Sequence, residues 1–188
     1  MEGWIQTFTG RAVDPLDPDP KTLVIEDIAH ALSLVNRYTG HTFEAYSVAT
    51  HSLGVARLID LRRFSTQTQL WALLHDATEA YLSDIAAPVK QHAIFAGYRE
   101  AERHLEEVVR KRFMPNAIGV RLPDVKTADW DMLMAERNEV LPEGRWAATN
   151  PPDDAVEAFR WAANVATYGV QNVQTAFLQA FDALGGVR

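Results

Sequence analysis

The sequence predicts an all-α protein, and three observations support that prediction. Apolar residues recur at three- and four-residue spacing in segments along most of the chain, as they do on the buried face of a helix. No segment alternates apolar and polar residues in the manner of a half-buried strand. The 188 residues are 47% hydrophobic and contain no internal repeat, which favours one domain with a core of its own.

That single domain, 1–188, is expected to have three parts. An N-terminal arm of about 1–24 contains the segment TGRAVDPLDPDPKT, whose prolines and aspartates favour an ordered loop over a helix or strand. A helical core of about 25–141 follows, and C-terminal helices occupy about 152–185.

The first two helices are predicted from apolar spacing and a capping residue. The segment IEDIAHALSLVNR carries Ile25, Ile28 and Leu32 on one face and predicts a helix over 25–37. Ser47 can cap a second helix that continues through VATHSLGVARLID, because a serine oxygen accepts from the first free backbone N–H groups. This second helix carries His51.

A third helix is predicted to carry a histidine–aspartate doublet near its middle. Thr66 with Gln69 forms a capping-box pattern ahead of LWALLHDATEAYL, and the segment from Ile85 to Pro88 should end the helix. Four further helices follow from amphipathic spacing, with a Pro- and Gly-containing loop, PEGRWAATNPPDD, between the second and third of them. They are predicted over 93–113, 124–141, 154–166 and 170–184.

Composition and charge exclude several kinds of protein. The chain has no cysteine, so a bound metal must be held by His, Asp, Glu or other oxygen ligands. The net charge of −7 argues against binding of a nucleic-acid polymer but is compatible with a local pocket for a small phosphate ester. Because there is neither a signal-like leader nor a long apolar run, we expect a cytoplasmic protein without a membrane partner.

The histidines in apolar surroundings carry the chemical argument. A lone histidine on such a helix is more often a hydrogen-bonded core residue, but here His51 is joined by His75-Asp76 and by a later aspartate. Burying a polar group without a partner costs roughly 2–7 kcal/mol, a cost that a shared metal ion removes. Imidazoles and carboxylates together suit a divalent Mn, Fe, Co, Ni or Zn ion. Glu79 lies four residues after His75, on the same helix face, where it can act on a metal-bound water.

Five ordered segments resemble a known family: TGRAVDP, IEDIAHALS, YSVATHS, HDATEAYLSDIAAPVK and ADWDMLMAER. They are similar to those of the HD-domain metal-dependent phosphohydrolases, in the small branch of bacterial 5′-deoxynucleotidases and phage-type dATP triphosphohydrolases. The resemblance implies a compact HD-domain helical bundle that binds a divalent ion, with Mg among the candidate metals. Its metal ligands would be His51, His75, Asp76 and Asp129. Asp131 is a close competitor of Asp129, but it would point elsewhere on the same helix.

The resemblance also implies roles for carboxylates and for groups that hold the substrate. Glu79 and Asp84 would be the acid/base and substrate-contact carboxylates, although Asp84 is also compatible with ordinary loop chemistry near a helix end. Arg37 and Tyr38 would hold phosphate or sugar and stack the base, with tyrosine in the place of the tryptophan of the nucleotidases.

Two further cations are candidates for contacting phosphate. Lys90, in APVK, matches a lysine of the family, but a lysine after a proline turn is as readily a solvated surface charge. Arg11, in TGR, would fold back over the pocket and offer a planar fork matched to phosphate oxygens.

We therefore expect a nucleotide phosphohydrolase. The first alternative is a 5′-nucleotidase that releases phosphate from deoxynucleoside monophosphates, and the second is a deoxynucleoside triphosphate triphosphohydrolase that releases tripolyphosphate. The triphosphohydrolase needs additional cations, for which Arg11, Lys21, Lys90 and Arg99 are available. The third alternative is a catalytically silent nucleotide-binding module. The apolar C-terminal helices favour a homo-oligomer.

Overall fold

The computed structural model describes residues 3–144 and 150–188, and its regular structure is almost entirely α-helical, as predicted. A two-stranded antiparallel sheet at the N-terminus pairs β1 with β2. The elements are β1 (Ile5–Gln6), β2 (Ala12–Val13), α1 (Ile25–Leu34), α2 (Val48–Leu61), α3 (Thr66–Leu74), α4 (Glu79–Leu82), α5 (Ala87–Lys90), α6 (Ala96–Phe113), α7 (Leu122–Val140), α8 (Asp153–Ala166) and α9 (Val170–Ala183).

Helix α2 lies at the centre of the bundle and packs against α1, α3, α7, α8 and α9. Its side chains are buried over most of its length, and full burial of one large apolar side chain stabilises the fold by roughly 1.5–3 kcal/mol. At Gly54 the missing side chain lets two neighbouring helices come close. A Cβ at this position would collide with Met132 of α7 and touch Ala162 of α8.

The N-terminal arm is an ordered hairpin followed by an extended segment. The turn between its strands is closed by a hydrogen bond from the Thr7 N–H to the Arg11 carbonyl oxygen, at 2.9 Å. Thr9 fixes the hairpin to α1, since its N–H and its hydroxyl donate to the two carboxylate oxygens of Asp27, at 2.7 and 2.9 Å. The prolines that follow lie outside α-helices, as expected, although Pro20–Thr22 forms one 3-10 turn.

Helix α1 ends earlier than the sequence predicts. The prediction over 25–37 is correct at the start, but the helix stops at Leu34 because Asn36 pairs with Ser47 in an isolated β-bridge. A short 3-10 segment, Arg37–Gly40, follows this bridge. In it Tyr38 and Thr39 both have a φ of 55°, a left-handed conformation that non-glycine residues adopt at some energetic cost.

The capping prediction for α2 is confirmed, and the one for α3 is wrong by one residue. Ser47 accepts from the Thr50 N–H and begins α2. Helix α3 is capped by Ser65, whose side chain accepts from the Thr68 N–H, so Thr66 is the first helical residue and not the cap. Both serines present their oxygen to the N–H three residues later, which is the geometry of an N-cap.

The prediction of one continuous helix around the His75-Asp76 doublet is wrong. Helix α3 ends at Leu74, residues 75–78 form tight turns, and α4 begins at Glu79. Helix α4 stops at Leu82 because Ser83 takes a left-handed φ of 67°, five residues before Pro88, and the additional short helix α5 contains that proline.

The remaining helices agree with the predictions to within a few residues. Helix α6 begins at Ala96, after a 3-10 turn over Ala93–Phe95, and α7 begins at Leu122. Helix α8 begins at Asp153 and α9 ends at Ala183. Within the predicted loop of 142–154, residues 145–149 lie outside the described residues.

In the parts of the chain that the structure describes, no helix combines the length and the apolar character needed to cross a membrane.

Candidate metal centre

Two histidines and one aspartate come together where α2 meets the turn after α3. His51, His75 and Asp76 each offer one ligand atom, and these atoms lie within 4.8 Å of one another. Asp76 Oδ2 lies 3.2 Å from His75 Nε2 and 3.7 Å from His51 Nε2. This group can hold a metal ion.

Helix α7 brings Asp129 to the same place. Its Oδ1 lies 3.0 Å from His51 Nε2 and 3.8 Å from His75 Nε2. Asp131, the competing candidate, pairs instead with Arg62 through an Oδ2–Nη2 distance of 2.7 Å. Of the two aspartates, Asp129 is the one that approaches the histidines. We refer to His51, His75, Asp76 and Asp129 as the His–Asp cluster.

The ring nitrogens of both histidines are arranged as metal ligands require. His75 Nδ1 donates to the carbonyl oxygen of Ala72 at 2.7 Å, and His51 Nδ1 lies 2.5 Å from a carboxylate oxygen of Glu136. Both Nε2 atoms are buried and face the carboxylates of Asp76 and Asp129, but neither makes a well-aligned hydrogen bond within the described residues. Since an imidazole that donates through Nδ1 keeps its lone pair on Nε2, the donor set fits a divalent cation.

Charge within the cluster also fits a cation. Burial opposes ionisation of Asp76, but His75 outweighs it and lowers the pKa of Asp76 to about 2. Burial likewise opposes ionisation of Asp129, yet the adjacent imidazoles of His51 and His75 hold its pKa well below the ordinary value. Burial lowers the pKa of His75, but Asp76 and Asp129 together leave it well above the usual value. A bound cation would therefore replace protons on the imidazoles.

Glu79 and Asp84 lie beside the cluster on the α4 side. Burial first, then the charges of Asp76 and Asp84, raise the pKa of Glu79 to about 9. Glu79 Oε2 is buried without a hydrogen-bond partner among the described residues. Asp84 is half-buried, directly after the left-handed Ser83, and burial raises its pKa as well.

Arg37 and Tyr38 lie close to the cluster, but their side chains contact carboxylates of the protein itself. Arg37 Nη1 lies 3.5 Å from Asp76 Oδ2, and its Nε lies 3.3 Å from Glu136 Oε2. The Tyr38 hydroxyl donates to Glu136 Oε2 at 3.0 Å. The side chain of Arg37 is 12% exposed, so one edge of it can still meet a ligand.

The two remaining predicted cations are placed differently. Lys90 Nζ forms an ion pair with Glu102 at 2.8 Å, and it lies close enough to Glu79 to act on the pKa of that residue. Arg11 is exposed in the hairpin, where its Nη1 donates to the backbone oxygen of Lys21 at 3.3 Å. The structure thus brings Lys90 near the cluster and gives Arg11 a contact within the arm.

Sequence reasoning missed Glu136, a fully buried carboxylate on α7. It lies four residues after the buried Met132 and seven after Asp129, so all three share one face of the helix. The one indication in the sequence was that this glutamate lies on the apolar face of the predicted helix, where a charged side chain would be buried. Its partners, Tyr38, Tyr46 and His51, lie far away in the sequence and could not be read from it.

Comparison with known proteins places the chain among bacterial relatives. No family model matches it. An uncharacterized protein of Rhodobacter capsulatus is 45% identical over 114 residues, which cover 58% of this chain and 58% of that protein. The uncharacterized protein YfdR of Escherichia coli is 32% identical over 189 residues, which cover 98% of this chain and 97% of YfdR. Since this second similarity extends over nearly the full length of both proteins, the chain belongs to the family of YfdR.

Proposed function

We propose that the chain is a metal-dependent phosphohydrolase that acts on deoxynucleoside monophosphates as a 5′-nucleotidase. The observation that carries the proposal is that the buried Nε2 atoms of His51 and His75 converge with the carboxylates of Asp76 and Asp129, at 3.0 and 3.2 Å for the closest pairs. Such a donor set of two imidazoles and two carboxylates suits Mn, Co, Zn, Ni or Fe. We place Mg lower, because it prefers oxygen ligands.

A divalent ion at this site would activate water and neutralise charge on a phosphate. His51, His75, Asp76 and Asp129 would hold the ion, and Arg37, which lies against Asp76, would present its exposed edge to a phosphate oxygen. In the reaction the phosphorus gains an oxygen from water, the bond to O5′ breaks, and the departing oxygen takes up a proton.

Glu79 is suited to move that proton. With a pKa raised to about 9 by burial and by Asp76 and Asp84, its carboxyl carries a proton at neutral pH in the metal-free protein. Asp84 lies on the same side, where it would keep this proton on Glu79 by like-charge repulsion and contact the sugar. We infer that Glu79 is the acid/base group of the reaction.

The placement of the cations favours a monophosphate over a triphosphate. A triphosphohydrolase would need cations for the β- and γ-phosphates, and three of the four available in the sequence already contact other groups of the protein. Lys90 pairs with Glu102, and Arg99 Nη1 donates to the backbone oxygens of Lys90 and His92 at 2.5 and 3.0 Å. Arg11 donates to the backbone oxygen of Lys21.

Turnover with product analysis tests the proposal. Metal-stripped protein would be reconstituted with Mn²⁺ or Co²⁺ and offered deoxynucleoside mono-, di- and triphosphates, with phosphate resolved from tripolyphosphate. We expect phosphate from the monophosphates alone, loss of turnover in Asp76→Asn, and retention of turnover in Asp131→Asn, whose carboxylate pairs with Arg62 outside the cluster.

Two other results would replace the proposal with an alternative. Tripolyphosphate from triphosphates would identify a triphosphohydrolase. Nucleotide binding by metal-replete protein without any turnover would identify a binding module.

A further inference from the structure

We propose that Glu136 is a positioning residue that holds His51 in the form able to bind metal and, through the same carboxylate, holds the loop that carries Arg37. The inference rests on the proposed metal centre. It assigns a role to a residue that belongs neither to the His–Asp cluster nor to the carboxylates beside it.

The carboxylate of Glu136 is fully buried and receives donors from three parts of the chain. Its Oε1 lies 2.5 Å from His51 Nδ1 and accepts from the Tyr46 hydroxyl at 3.0 Å. Its Oε2 accepts from the Tyr38 hydroxyl at 3.0 Å and lies 3.3 Å from Arg37 Nε. A buried carboxylate needs partners of this kind, because burial alone disfavours its charge.

The contact with His51 decides which ring nitrogen carries the proton. An ionised carboxylate only accepts hydrogen bonds, so Glu136 selects the form of His51 with hydrogen on Nδ1. The lone pair then lies on Nε2, the atom that faces Asp76 and Asp129. The backbone oxygen of Ala72 does the same for His75, which means that the two histidines are held by different kinds of acceptor.

The second oxygen extends this effect to the Arg37–Gly40 loop. Tyr38 has a left-handed backbone with a φ of 55°, a conformation that persists when surrounding contacts hold it. Its hydroxyl and the Arg37 guanidinium both contact Glu136 Oε2, while Arg37 Nη1 lies 3.5 Å from Asp76 Oδ2. One carboxylate thus fixes a metal-binding histidine and the arginine beside a metal-binding aspartate.

A purely structural role for Glu136 makes a different prediction. If the carboxylate serves only to neutralise Arg37 in the core, its removal lowers the free energy of unfolding and leaves the metal affinity of the folded protein unchanged. If it positions His51, removal weakens metal binding. Partners that orient metal ligands in this way typically contribute about 10–100-fold to metal affinity.

The experiment measures Zn²⁺ and Mn²⁺ dissociation constants by calorimetry for the wild type and three variants. Glu136→Gln removes the charge, and we expect it to weaken binding by about 10–100-fold. Tyr46→Phe removes a donor to the same oxygen but leaves His51 its acceptor, and we expect a smaller loss. Asp131→Asn, an acidic residue of the same helix that pairs with Arg62, is the matched control and should bind as the wild type does.

A spectroscopic measurement on the wild type remains informative if Glu136→Gln does not fold. Long-range ¹H–¹⁵N correlation spectra of the Zn²⁺-loaded protein report which nitrogen of His51 carries hydrogen, and we expect Nδ1. Wild-type affinity in folded Glu136→Gln, or a His51 that binds through Nδ1, would overturn the inference while leaving the metal centre in place. A wild type that binds neither ion would instead contradict the proposed function itself.

Discussion

Each histidine of the His–Asp cluster offers one ring nitrogen because a fixed acceptor occupies the other. For His75 that acceptor is the carbonyl oxygen of Ala72, and for His51 it is the carboxylate of Glu136. At the scale of single residues the site is therefore arranged before any ion binds, and small changes of side chain have separable effects.

Glu79 gives the metal-free protein a specific pH dependence. Its pKa rises from 4.5 to about 9 in the fold because burial, Asp76 and Asp84 disfavour the charged form. A carboxyl of this kind stabilises the fold while it is protonated, so its contribution is complete below pH 4.5 and is lost as the pH rises through about 9.

Urea unfolding in the presence of a chelator measures this effect. Between about pH 5 and pH 9 the free energy of unfolding of Glu79→Gln should fall less steeply than that of the wild type, because glutamine does not titrate. Parallel pH profiles for the two proteins would show that Glu79 is ionised in the fold.

The two neighbouring aspartates of α7 should differ in their effect on metal binding. Asp129 approaches both histidines, so Asp129→Asn is expected to weaken Mn²⁺ binding by more than about tenfold. Asp131→Asn should leave the affinity unchanged and cost about 0.2–1 kcal/mol of stability through the lost pair with Arg62. Calorimetric titration checks both, and weaker binding by the Asp131 variant would reverse our choice of ligand.

The four residues of the His–Asp cluster could be identified from the sequence. The residues that orient their side chains could not. His51, His75-Asp76 and Asp129 belong to recognisable segments, whereas Glu136 resembles an ordinary helical glutamate until its buried position is known. The partners of Lys90 and Arg99 could not be predicted either, because they depend on how the segment that contains α5 folds against α6.

At the scale of the elements, the break between α3 and α4 positions the doublet. The sequence from Leu70 to Leu82 is compatible with one helix, and nothing local opposes it. The fold instead closes two consecutive tight turns, with Ala77 N–H bonded to Leu74 O and Glu79 N–H bonded to Asp76 O. The local apolar pattern located the helical region correctly but gave no indication of where the helix is interrupted.

The crossing of α2 with α7 and α8 depends on Gly54. A methyl group there would force the terminal methyl of the buried, flexible Met132 side chain to move, so Gly54→Ala should lower the free energy of unfolding by about 1 kcal/mol, the low end of what overpacking costs. Gly97→Ala is the matched control, because nothing lies within 4 Å of a Cβ at that exposed helical position. We expect the control to be neutral or stabilised by about 0.4–1 kcal/mol. If urea unfolding gave the same loss of free energy of unfolding for both variants, packing against Met132 would not explain the effect at Gly54.

At the scale of the whole molecule, the ligands of the cluster come from α2, from the turn after α3 and from α7. An ion that binds them binds the folded chain and not the unfolded one. At a metal concentration of about 100 times the dissociation constant, linkage adds about 2.7 kcal/mol of stability, or about 5–10 °C in Tm for a chain of this size.

Calorimetric melting with and without Mn²⁺ tests this coupling. Asp76→Asn should melt at the same temperature in both conditions. If the Tm of the wild type did not change with Mn²⁺, binding of the ion at the cluster would not be coupled to folding.

The expectation of a homo-oligomer stays a prediction. Apolar side chains remain exposed on the C-terminal helices and the turn between them, among them Trp161 at 41% and Tyr168 at 73%. Light scattering coupled to size-exclusion chromatography would determine the mass in solution, and a monomer at micromolar concentration would contradict the expectation.

The tight turns between α3 and α4 also limit which insertions and deletions the protein can accept during evolution. One residue inserted between Asp76 and Glu79 would break the hydrogen bond from the Glu79 N–H to the Asp76 carbonyl oxygen and move Glu79 away from Asp76. Each turn is closed by its own backbone hydrogen bond, so an additional residue could not be accommodated without breaking that bond. Relatives that keep the site should therefore keep His75 and Asp76 and tolerate substitution of Ala77 or Thr78 more readily than an insertion or deletion in residues 75–78, and differences in their length should fall in other connections.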